Sequence, residues 1–125
     1  MDGAASWTIY AQDLPPAARH FDDIPADHEP APLGSRAGLA AAILKVEPSA
    51  AFIEAGFGLL RGQGFRLEIE LGEREIVESI AFRVQAACPV AGRLADRVIA
   101  RILSGLGLSA FDPRSPTGLF AHIPG

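Results

Sequence analysis

FRLEIELGEREIVESIAFRV, residues 65–84, decides the fold class, because hydrocarbon and charge alternate along it residue by residue. Successive side chains of a β-strand point to opposite faces. Phe65, Leu67, Ile69 and Leu71 therefore share one side, and Arg66, Glu68 and Glu70 the other. In IVESIAFRV the same parity sends Ile80, Phe82 and Val84 to the apolar side. It leaves Val77, Ser79, Ala81 and Arg83 with the charges. Upstream, FGLL and RGQG read as a strand and a glycine turn, so residues 57–84 are predicted to form an antiparallel meander of three strands.

Outside this stretch the hydrophobic period changes from two to nearly four. Ser35 is a plausible N-cap for a helix running to about Val46, with Leu39, Ile43 and Val46 on one face and Pro48 as its stop. Pro89 and Gly107 frame a second helix of about Val90 to Leu106, in which Leu94, Val98, Ile102 and Leu106 recur every fourth residue. SWTIYA at 6–11 has the β-formers of a strand that would tie down the N-terminus. DLPPAARHFDDIPADHEPAPLG at 13–34 holds five of the ten prolines and is predicted as an extended arm lying on the domain. LSAF at 108–111 and GLFAHI at 118–123, separated by the turn signal DPRSPT, add one or two short strands.

This order predicts an α+β fold: a two-layer sandwich of a mostly antiparallel meander sheet with two helices packed on one face. One domain is expected, residues 1–34 giving the N-terminal strand and Pro-rich arm and residues 35–125 the α+β core. No internal repeat is visible. GFGLLRGQGFRLEIELG at 56–72 and FDPRSPTGLF at 111–120 resemble segments of small bacterial single-domain proteins of unknown function, in which a Gly-rich hairpin and a Glu-bearing strand precede a long helix. The resemblance implies a compact α+β domain and brings no activity with it.

Composition narrows the function classes. The formal charge is −4 and the pI about 5.3, so the long-range field repels polyanions and argues against nucleic acid. Ten of the eleven basic residues are arginine, which fits a GC-biased genome as readily as an anion-binding role. Cys88 is the only cysteine; with no internal disulfide to make, a reducing cytoplasm is the simplest address. MDGAASWTIY lacks the basic start of a signal peptide, and the longest apolar run, at 37–44, is far short of a membrane span. A soluble protein with no membrane partner is expected.

The motifs that could carry chemistry are thin. GFGLLRGQG does not give G-x-G-x-x-G and opens a strand where a phosphate loop opens a helix. Cys88 stands at a helix N-terminus, where a thiol can gain reactivity, but Leu94 occupies the place of a phosphatase-loop arginine. His20, Asp22, Asp23, Asp27 and His28 have metal-ligand chemistry but lie in a Pro-broken arm, and His122 stands alone, so no metal or cofactor is expected. Arg93, Arg97 and Arg101 line the polar side of the second helix, as a solvated face or a contact for an acidic protein. There is no G-x-S-x-G.

The remaining candidate is the charged face of the meander. Arg66, Glu68, Glu70, Val77, Ser79, Ala81 and Arg83 form a mixed patch that reads either as cross-strand ion pairs in water or as a docking surface for a protein partner or a second copy. The expectation is a non-catalytic, protein-binding or self-associating module of the adaptor or immunity type. The alternative is an enzyme using Glu68 and Glu70 as paired carboxylates or Cys88 as a thiol.

Overall fold

The computed structural model describes residues 5–15 and 17–120. One sheet of six strands dominates it. In chain order the elements are β1 (Ala5–Gln12), β2 (Gly34–Ser35), α1 (Arg36–Val46), β3 (Ala51–Glu54), β4 (Phe57–Gly62) and β5 (Phe65–Glu70). They continue with β6 (Ile76–Val77), β7 (Ile80–Ala86), α2 (Pro89–Leu106) and β8 (Ser109–Phe111). The large sheet has the order β3-β4-β5-β7-β1-β8, with every neighbouring pair antiparallel, while β2 and β6 make a separate two-stranded ribbon. Both helices pack on one face of the sheet, giving the expected α+β sandwich.

Parity explains the core. On β5, Phe65, Leu67 and Ile69 are buried; on β7, Ile80, Phe82 and Val84 join them. β1 completes this inner surface with Ile9 and Ala11, inserted between β7 and β8, so the N-terminal segment is an inner strand of the sheet. α2 lays Ala95, Val98, Ile99 and Ile102 on that surface, and Leu39 and Ile43 of α1 close the same cluster. Burying such a side chain stabilises the fold by about 1.5–3 kcal/mol relative to leaving it in water, so a dozen of them account for the fold's dependence on this one seam.

The helix ends are where local chemistry puts them. The Ser35 hydroxyl accepts a bond from the Gly38 amide at 3.0 Å, capping α1. Cys88 is the N-cap of α2 and Pro89 its first residue. Gly107 ends α2 in the left-handed conformation, φ 67°, which a residue without Cβ adopts at no steric cost. Gly92, inside α2, serves a different end. A Cβ there would stand 2.7 Å from Cη2 of Trp7, so its absence lets the helix settle onto the indole.

Two features depart from the predicted meander. A fourth strand, β3, precedes it, and the third strand is broken. IVESIAFRV does not run as one strand: Ile76–Val77 pairs with Gly34–Ser35, and the sheet resumes only at Ile80. The interruption resets side-chain parity. Val77, expected on the open face, is 2% exposed in the core, and Ile76 stands out at 52%. The arm imposes this by hydrogen bonds, with the Leu33 amide donating to the Val77 carbonyl and the Arg36 amide to that of Glu75, each at 2.7 Å.

The arm itself is ordered by its own polar groups. His20 caps a 3-10 helix at Phe21–Asp23, its Nδ1 accepting from the Asp22 amide, while the Asp23 carboxylate accepts from the amides of Arg19 and His20. The Asp13 carboxylate accepts the Ala31 amide and its carbonyl meets Nε2 of His28. Phe21 packs on Phe111 at 6.0 Å between ring centroids. Phe111 also bridges to Leu119 in the closing segment, whereas His122 and the rest of the predicted GLFAHI strand past Phe120 lie outside the described residues.

Candidate functional site

The sheet face turned away from the helices is a grid whose rows follow from the strand register. The middle row is Leu59, Glu68, Arg83 and Thr8, on β4, β5, β7 and β1. Toward one end of the strands the next outward-facing row is Arg61, Arg66, Gln85 and Ser6. Toward the other it is Phe57, Glu70, Ala81, Tyr10 and Phe111, with Glu54 of β3 opposite Phe57. Arg66, Glu68, Glu70, Ala81 and Arg83 thus share the face on which parity placed them. Ser79 is exposed just ahead of β7, and Val77 belongs to the core.

Two ion pairs cross the centre. The guanidinium of Arg83 donates to the carboxylate of Glu70, and Nη2 of Arg66 lies 3.2 Å from Oε2 of Glu68. The Arg83 pKa is raised, first by that hydrogen bond, which outweighs the lowering from burial, then by the charges of Glu70, Tyr10 and Glu68. All four side chains keep partial exposure, so each pair stabilises the free chain by about 0.2–1 kcal/mol. Each carboxylate is therefore engaged by an arginine, and neither is left as a free acid or base beside the other.

Around the pairs lie apolar surfaces that water still reaches. Phe57, Leu59 and Phe111 are half-buried and Tyr10 is 45% exposed. The ends of the grid carry opposite charge. At one end Arg61 faces Arg66 directly across the β4–β5 ladder. Nε of Arg66 is buried with no hydrogen-bond partner among the described residues. An open hollow of about 760 Å³ adjoins the two arginines. At the other end a hollow of about 470 Å³ is lined by Glu54, Phe57, Glu70 and Glu73, with Arg36 at its edge.

The remaining sequence candidates fall elsewhere. Cys88 is exposed at the α2 N-cap and makes no capping bond with its side chain. Among the described residues no group of three or more His, Cys, Asp or Glu is placed to hold a metal ion. Of the α2 arginines, Arg101 donates through Nε to Glu47 at 2.6 Å. Asp96 turns toward Arg114 and Trp7. No described helix is long and apolar enough to cross a membrane.

Sequence reasoning missed one polar cluster, beside α2. Arg114 is bound to the 5%-exposed Asp112 through Nε and Nη2 and to Asp96 through Nη1 and Nη2, all at 3.0–3.1 Å, and it stacks on Trp7. Burial alone lowers the Arg114 pKa, but the hydrogen bonds it donates to Asp112 and Asp96 and the charges of these carboxylates leave it raised. Its only sequence signal is the Asp-Pro-Arg-Ser turn. No family model, curated protein or solved structure matches the chain.

Proposed function

We propose that this chain is a cytoplasmic, non-catalytic module that binds protein, either a partner or another copy of itself, through the outer face of its sheet. One observation carries the reading: the face joins exposed Tyr10 and half-buried Phe57 and Leu59 to a central lattice of ion pairs, with nothing from the described residues laid over its middle. Apolar area gives an interface its affinity, and fixed charges give it orientation and partner choice. The carboxylates that an enzyme would use are held by arginines, which favours recognition over acid–base chemistry. A lone exposed thiol suits a reducing compartment.

A photo-crosslinking side chain placed at Thr8, in the middle row, and at Arg93, on the solvent side of α2, tests the reading in cells. Adducts from position 8 with few or none from position 93 are expected. Equal yields from both, or none from position 8, would remove it.

A further inference from the structure

Building on that reading, we infer that the occupant of the outer face is a second copy of this chain. It is seated face to face about a two-fold axis that runs across the strands, so that the Arg61–Arg66 end of each copy lies over the Glu54–Glu70 end of the other.

Arg61, Arg66 and Arg83 oppose Glu54, Glu68 and Glu70, so the face has no net charge to gather an acidic or a basic partner. Its charges are nevertheless sorted. The bases Arg61 and Arg66 stand at one end and Glu54 and Glu70 at the other; Arg66 and Glu70 are held within the chain by Glu68 and Arg83 of the middle row, which leaves Arg61 and Glu54, at opposite ends, without an ion pair among the described residues. A surface that is neutral overall and polarised along one direction is complementary to its own reversed copy.

The direction of polarity chooses the axis. Two sheets can stack face to face about an in-plane two-fold axis. If that axis ran along the strands, each row would meet the same row of the other copy with its strand order reversed, and Arg61 and Arg66 would lie over Ser6 and Gln85 and gain no carboxylate. If it runs across the strands, strand direction reverses between copies and the basic row meets the acidic one. Lateral position also fits, because Arg61 and Arg66 stand on β4 and β5, and Glu54 and Glu70 on β3 and β5. Leu59, Glu68 and Arg83, in the middle row, then lie near the axis and meet their counterparts, with both charges already held by Arg66 and Glu70 of their own chain.

One unsatisfied feature of the single chain is answered by this arrangement. Arg61 has no ion-pair partner among the described residues and faces another guanidinium. A carboxylate from a second copy would meet it. Size is sufficient: six strands about 4.8 Å apart and about six residues long at 3.3 Å each give a footprint of about 500 Å² per copy. That corresponds to about 1,000 Å² in total, where specific interfaces begin.

The test uses mass and charge reversal. Wild-type protein at tens of micromolar is expected to sediment at twice the chain mass of 13.1 kDa. Arg61→Glu with Arg66→Glu makes both ends acidic, Glu54→Lys with Glu70→Lys makes both basic, and each double variant alone is expected to be monomeric. Mixed in equal amounts they should recover a dimer containing one of each. A mixture that stays monomeric while wild type dimerises overturns the axis and leaves the protein-binding reading standing. Monomeric wild type at several hundred micromolar, or Thr8 adducts only with a different protein, overturns the second copy as occupant. Absence of Thr8 adducts together with dimerisation removes the face itself.

Should a charge-reversed variant fail to fold, spin labels on wild-type charges decide. In a Cys88→Ser background, a label at Ala51, opposite Leu59 in the middle row, should give a shorter inter-copy distance than one at Gln85 in the Arg61–Arg66 row. The opposite order places the axis along the strands and overturns the proposal.

Discussion

The ring of Trp7 lies 4.2 Å from the guanidinium carbon of Arg114, and the indole Nε1 donates to Oδ1 of Asp96 at 3.3 Å. The single tryptophan is thus fixed between β1, α2 and the turn after β8, and Arg114 joins the three through Asp96 and Asp112. Removing the guanidinium leaves the Asp112 carboxylate, 5% exposed, with only the Arg114 amide donating to it among the described residues. Arg114→Met is expected to cost about 2 kcal/mol, below the figure for a fully buried pair because Arg114 is one-third exposed. Arg114→Lys should recover less than half of that, since an ammonium cannot span two carboxylates while stacked. Urea titration followed by Trp7 emission measures both.

The sign of the Arg114 shift adds a pH expectation. A raised folded-state pKa stabilises the charged form at every pH below the unfolded arginine value, and the stabilisation is lost only as pH rises through the folded value. The stability difference between wild type and Arg114→Met should therefore be unchanged between about pH 7 and pH 10. A difference that fades over that range would mean Arg114 is not the group holding the carboxylates.

Gly92 tests how closely α2 sits on the same indole. Alanine is the better helix former by about 1 kcal/mol, so on propensity alone Gly92→Ala stabilises. A new Cβ 2.7 Å from the indole has to displace it, and overpacking of that kind costs about 1–3 kcal/mol. Net destabilisation is expected from Gly92→Ala alone. Combined with Trp7→Phe, whose smaller ring does not reach the site, the same substitution should become neutral or stabilising. A thermodynamic cycle on the four proteins reads the coupling directly, and additive effects would place Trp7 elsewhere.

The alternation in residues 65–71 was legible because every inward position from Phe65 to Leu71 is apolar and every outward one is not, and Ile80, Phe82 and Val84 continue the inward set. The helix ends were legible from Ser35, Pro89 and Gly107. What could not be read was pairing at long range. The broken third strand depends on hydrogen bonds from Leu33 and Arg36, forty residues upstream in loop-rich sequence, and β3 has too little alternation in AFIE to announce itself. On the candidate face, five positions could be placed from parity, but the opposition of Arg61 to Arg66 needed the register of β4 on β5.

Val77 and Ile76 convert that parity reset into a measurement. Parity carried through an unbroken strand would bury Ile76 and expose Val77; the ribbon with β2 does the reverse. Val77→Ala is expected to cost about 2 kcal/mol, since it empties core volume, and Ile76→Ala less than about 0.5 kcal/mol. Chemical denaturation of the two variants gives the answer, and a larger loss for Ile76 would restore the continuous strand.

Arg61 separates what stabilises the chain from what joins two chains. Like charges directly opposite on a ladder destabilise it, and opposite charges there stabilise by about 0.2–1 kcal/mol. Arg61→Glu should therefore raise the urea midpoint of dilute, monomeric protein, because the new carboxylate faces Arg66. Local stability would favour an acid at this position, yet the chain carries a base; residues that break a local rule are where function is expected. If the basic row receives the Glu54–Glu70 end of a second copy, the same substitution must weaken association while it strengthens the fold. Arg61→Gln, which removes the repulsion without supplying an acid, should fall between the two on both scales. Sedimentation equilibrium and urea titration on the three proteins test this opposition, and a variant that gains or loses both properties together would show that Arg61 acts through folding alone.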